Sequence, residues 1–184
     1  MAKPQDLITL AEAEIGYIEK ASTKDLDNPI GNPGSKNYTK YARDVDAAKI
    51  LNGAKQGYEW CAVFVMWLMV TAWGAAEAVR RGCIGLYSAG CEWVAKYYQK
   101  AGRWFTTPEA GDQVVFQTRD KDTGEWVACH TGLVVGVTAT KIMTIEGNTS
   151  GASGLIPNGG MVAKKSYARS SSYIMGYGRP LYDA

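Results

Sequence analysis

Apolar positions change their rhythm along the chain. After Pro4, Leu7, Leu10, Ala11 and Ile15 recur at helical spacing until Gly16, which predicts an amphipathic helix over residues 4–15. From Trp60 to Val70 the residues are apolar without interruption, predicting a central helix over residues 60–80 whose first turns are enclosed by protein on every side. Ser88 marks the start of another helix, running to Lys100 and closing near Gly102. Beyond Pro108, β-branched and aromatic residues predict strands at Gln113–Gln117, Trp126–Val137 and Lys141–Glu146, with a last strand within Ser171–Tyr177. The turn-forming stretch Asn28–Tyr41 reads as an ordered loop able to wall a groove, and 150–160 as a Gly- and Ser-rich loop. Helices first and strands afterwards predict an α+β fold.

Composition narrows the function classes. The 184 residues, 46% hydrophobic and 21% charged, suffice for one core, so a single domain over 1–184 is expected. A net charge of +2 with scattered Lys and Arg argues against a nucleic-acid partner. Met1–Leu7 lacks the apolar centre of a signal peptide, and the run from Trp60 is interrupted at Thr71 and Gly74, so neither export by a visible signal nor a membrane partner is expected. Four cysteines without Cys-x-x-Cys spacing and one histidine do not suit a metal centre, and no metal or cofactor is expected. Cys83 and Cys91 read as buried thiols, with a disulfide between them as the alternative.

The candidate chemistry lies at the starts of two elements. Cys61 heads the apolar helix, where unpaired N–H groups and the macrodipole favour a thiolate. His130, the only histidine, can serve as its base. If 127–137 and 141–146 form a hairpin with Val137 opposite Lys141, His130 falls opposite Asn148 and diagonal to Glu146. Side-chain alternation then turns His130, Glu146 and Asn148 to one face, and a one-residue slip destroys the arrangement. Cys61 would attack a carbonyl carbon, His130 would accept and return the proton, and Glu146 or Asn148 would orient the imidazole. The Cys61 N–H is a natural oxyanion donor, with Gln56 or Tyr58 as a second.

Trp60-Cys61-Ala62-Val63-Phe64-Val65-Met66-Trp67, His130-Thr131-Gly132-Leu133-Val134-Val135 and Ile145-Glu146-Gly147-Asn148-Thr149 resemble the CHAP family of cysteine, histidine-dependent amidohydrolases and peptidases. Glu14-Ile15-Gly16-Tyr17 with Glu19, Asn37–Tyr41, Gly102-Arg103-Trp104, Pro108 through Asp112 and Gly176–Pro180 look like further landmarks of that family. The resemblance implies a papain-like fold, with the Cys-bearing helix packed on an antiparallel β-sheet that carries the histidine. It also implies that Cys61 is the nucleophile and His130 the base, with Glu146 and Asn148 completing the site.

Peptidoglycan is the implied substrate, cut at the N-acetylmuramoyl-L-alanine amide or within its stem or bridge peptides. A monomeric phage endolysin, made in the host cytoplasm and acting at the bacterial cell wall, suits this pattern. Tyr38, Tyr58, Trp60 and Trp126 are the expected substrate-binding residues, with Trp104 a further aromatic candidate. Lys55-Gln56-Gly57-Tyr58-Glu59 carries one carboxylate where calcium-binding relatives carry an acidic cluster, so no calcium is expected there. The rival readings are a catalytically silent wall-binding module and a glutathionylspermidine-type amidase.

Overall fold

A computed structural model describes residues 1–183. Five helices, α1 (Pro4–Ala13), α2 (Lys40–Ala48), α3 (Cys61–Trp73), α4 (Ala75–Arg81) and α5 (Cys91–Lys100), precede six strands. The strands β1 (Trp104–Phe105), β2 (Gln113–Arg119), β3 (Trp126–Val137), β4 (Lys141–Thr149), β5 (Met161–Ala168) and β6 (Ile174–Gly178) form one antiparallel sheet in the order β1-β6-β2-β3-β4-β5. This is the α+β architecture expected, in its papain-like form.

The apolar run does what its composition requires. Every residue of α3 from Cys61 to Met69 is buried, and α3 packs on α1, α2 and α4 as well as on β3 and β4. Leu133 and Ile145 from the sheet join Phe64, Leu68, Leu7 and Tyr41 in this core. The helix expected over 60–80 is in fact two, because Gly74 adopts φ 78° and the axis bends by 119° there.

Other boundaries also need correction. Ser88 does not cap α5. Its Oγ accepts the Gly85 N–H at 2.9 Å, stabilising the preceding turn, and the helix starts at Cys91 after Gly90. Tyr41 leaves the predicted loop to become the buried face of α2, together with Ala42 and Val45, and Thr39 caps that helix by accepting the Ala42 N–H at 3.0 Å. Strand β5 went unpredicted because Lys164 and Lys165 interrupt its apolar pattern. Lys165 is nevertheless buried, its ammonium donating to the carbonyls of Ser150, at 3.0 Å, and Ala152.

The β3–β4 hairpin carries the register on which the site depends. Near the turn, Val137 pairs with Ile142 and Gly136 with Met143, one residue away from the expected pairing. A bulge between Val134 and Gly136 then restores the expected register, so that Val134 pairs with Thr144 and Leu133 with Ile145. The ladder ends there, and the expected pairing of His130 with Asn148 does not form.

Candidate active site

His130 and Glu146 meet just beyond the end of that ladder. His130 Nε2 lies 3.0 Å from Glu146 Oε2, and both side chains are fully buried. Room for the carboxylate comes from Gly132, where an added Cβ would lie 2.5 Å from Glu146 Cγ. Glu146 is itself anchored, because Thr144 Oγ1 donates to its Oε1 at 2.5 Å and the Tyr167 hydroxyl to its Oε2 at 3.2 Å. Phe116 stacks on the imidazole, with ring centroids 6.0 Å apart and planes inclined by 24°.

Cys61 is the first residue of α3, and Gly147 lets β4 pass close to this helix end. An added Cβ there would lie 2.5 Å from Phe64 Cβ and 2.8 Å from Trp60 Cζ3. Three groups hold the Cys61 thiol well below its ordinary pKa, against the opposing effect of burial. In order of effect they are hydrogen bonding from Cys91, interaction with His130, and the Ala62 N–H. The Cys61 and Cys91 sulfurs are 3.7 Å apart.

Burial pushes the His130 pKa down, but Cys61 and Glu146 more than offset this, raising it from 6.5 to about 9. Nε2 is taken by Glu146, whereas Nδ1 is buried without a hydrogen-bond partner and is the ring nitrogen left to serve the Cys61 thiol. A depressed thiol and a raised imidazole that act on each other favour the thiolate–imidazolium form, in which a cysteine is a ready nucleophile. Among the described residues, no acceptor takes the Cys61 N–H, which leaves it free to donate to an oxyanion.

The other predicted residues are distributed differently. Asn148 is buried but does not orient His130. It sits at φ 56° in a β4–β5 bulge, its Nδ2 donating to Asn158 Oδ1 at 3.1 Å and its Oδ1 accepting the Gly160 N–H at 3.2 Å. Gln56 is tied to both backbone groups of Thr39, accepting from N–H at 3.0 Å and donating to C=O at 2.7 Å. Trp60 is a core residue with no surface for substrate, and its indole N–H donates to the buried Glu19 carboxylate at 3.0 Å.

Tyr58 is 65% exposed and lines a groove of about 420 Å³ with Tyr87, Trp93, Glu59 and Gly90, at the loop ends that lead into Cys61 and Cys91. Trp126, with the Arg119 guanidinium 4.9 Å from its ring centre, lines a second groove of about 330 Å³ with Ala128 and Glu92. Tyr38 is half-buried, its carbonyl accepting the Lys20 N–H at 2.8 Å. Trp104 is partly buried, packed against the cluster formed by Ala62, Val94, Tyr98 and Val115. A larger cavity of about 530 Å³ lies among Gly151–Gly154 and Lys164–Ser166, and none of the catalytic candidates lines it.

Sequence reasoning missed Thr144, Tyr167 and Cys91. Thr144 carried a signal, since it precedes Glu146 by two positions and therefore shares its strand face. Tyr167 lay on an unrecognised strand. Cys91 needed the tertiary fold. All four cysteines are free thiols, and the sulfur in contact with Cys91 belongs to Cys61 rather than to Cys83.

The family comparison agrees with this geometry. The CHAP domain model matches residues 53–148, just over half the chain, and that span includes Cys61, His130, Glu146 and Asn148. No curated protein and no solved structure gives a significant match. With Cys61 and the buried His130 both inside the matched span, the chain belongs to the CHAP domain family, whose members are cysteine, histidine-dependent amidohydrolases and peptidases.

Proposed function

We propose that the protein is a peptidoglycan hydrolase of the bacterial cell wall, an N-acetylmuramoyl-L-alanine amidase or an endopeptidase, acting as a monomeric phage lysin. The Cys61 thiolate attacks the amide carbonyl, and the Cys61 N–H receives the developing oxyanion. The His130 imidazolium, oriented by Glu146, protonates the leaving amine. Neutral His130 then activates the water that cleaves the thioester. The observation that carries this reading over a silent wall-binding module is the buried His130–Glu146 contact at 3.0 Å, beside a thiol held in its reactive form.

The test is mass spectrometry of fragments released from purified Gram-positive peptidoglycan, with Cys61→Ala as the blank. Stem peptides with a free L-alanine amine identify an amidase, and new ends inside the stem or bridge identify an endopeptidase. Absence of any Cys61-dependent fragment overturns hydrolysis of that wall type.

A further inference from the structure

We infer that Cys61 and Cys91 form a modification site, a dithiol that a hydroperoxide converts reversibly to a disulfide, silencing the nucleophile. The two sulfurs are in contact at 3.7 Å, and each cysteine is the first residue of a helix, α3 and α5. No other pair of cysteine thiols is in hydrogen-bonding contact among the described residues. Forming a bond of about 2.05 Å requires the sulfurs to approach by somewhat under 2 Å, within reach of small χ1 and backbone adjustments at two helix starts. Cys91 follows Gly90, which has no side chain to obstruct that movement.

The chemistry balances in two steps. The Cys61 thiolate attacks the nearer peroxide oxygen, the O–O bond breaks, and the departing alkoxide or hydroxide takes a proton from the His130 imidazolium or from water. Cys61 is left as a sulfenic acid. The Cys91 sulfur then attacks the Cys61 sulfur, the S–O bond breaks, and water leaves with the Cys91 proton. Two thiols have lost two electrons, and the peroxide has gained them. The thiolate character of Cys61 favours the first step, and the position of Cys91 favours the second over further oxidation of the sulfenic acid.

The experiment treats the intact protein with hydrogen peroxide at low molar excess, blocks the remaining thiols and maps its peptides by mass spectrometry. The expected product is a Cys61–Cys91 cross-linked peptide two hydrogens lighter than the sum of its parts, restored by dithiothreitol. In Cys91→Ser the same treatment drives Cys61 on to sulfinic and sulfonic acids that dithiothreitol does not reverse. Cross-links from Cys61 to Cys83 or Cys129, or irreversible Cys61 acids in the unaltered protein, overturn the proposal. Because the readout is a cross-link mass, it is independent of whether peptidoglycan is the substrate. If Cys91→Ser does not fold, the cross-link in the unaltered protein still decides.

Discussion

Gly132 and Glu146 are matched across neighbouring strands: the glycine two residues after His130 leaves the space that the Glu146 side chain fills on its way to the imidazole. A methyl group at Gly132 would meet Glu146 Cγ at 2.5 Å. Gly132→Ala is therefore expected to displace the carboxylate and lower kcat by about 10²-fold, the scale on which small misplacements of catalytic groups act. Hydrolysis kinetics with thermal melting check this, since a fall in kcat proportionate to lost folded protein would refute the positional effect.

Replacing Glu146 by Gln removes the negative charge that helps hold the His130 pKa near about 9. Activity is expected to fall by roughly 10³–10⁴-fold, as when the orienting carboxylate of a triad is neutralised. The residual activity should also lose its alkaline limb at lower pH than the parent. An unchanged pH profile would show that Glu146 does not act on the imidazole.

The pH dependence of the unaltered protein follows from the signs of the two shifts. Cys61 is depressed, so its thiolate forms as pH rises through a value well below the ordinary thiol range. His130 is raised, so its proton persists until pH passes about 9. Activity should rise on the acid side with the Cys61 thiolate, hold across neutrality, and fall near pH 9 as the imidazolium loses its proton. A rate that keeps climbing through pH 10 would contradict this pairing.

Thiol alkylation separates Cys61 from its neighbours. Burial raises the pKa of Cys83 and pushes Cys129 to about 11, while hydrogen bonding with Cys61 and burial raise Cys91. Iodoacetamide at pH 6 to 7 should label Cys61 first, at least about tenfold faster than the other three. Equal slow labelling of all four would favour a silent binding module.

Asn148→Ala should behave differently from the Glu146 variant. It removes two hydrogen bonds to the 158–160 segment from a buried position and places alanine at φ 56°. A loss of about 2–4 kcal/mol in stability is expected, with kcat of the folded fraction reduced far less than in Glu146→Gln. Denaturant melts paired with active-site titration distinguish the two outcomes.

The enclosed helix was legible because nine consecutive buried residues, Cys61–Met69, require protein on all sides. The one-face relation of His130 and Glu146 was legible because strand side chains alternate, although the expected hairpin register was off by one residue near the turn. The Val134–Gly136 bulge absorbed that error before it reached the site. Helix α2 and strand β5 were missed because polar side chains cover their exposed faces and hide the narrow apolar pattern beneath.

The sequence by itself determined the elements that carry the chemistry: a thiol at the start of an apolar helix, a lone histidine and a carboxylate on successive strands, and glycines beside them. Local periodicity suffices for that, because burial on a helix or strand repeats at fixed spacing. Only the tertiary structure decided that Glu146 rather than Asn148 meets His130, that Gln56 and Trp60 are turned to other partners, and that Cys91 lies against Cys61. Those outcomes depend on a bulge, a positive φ and the approach of two helix ends 30 residues apart in sequence, and such contacts leave no periodic trace in the chain.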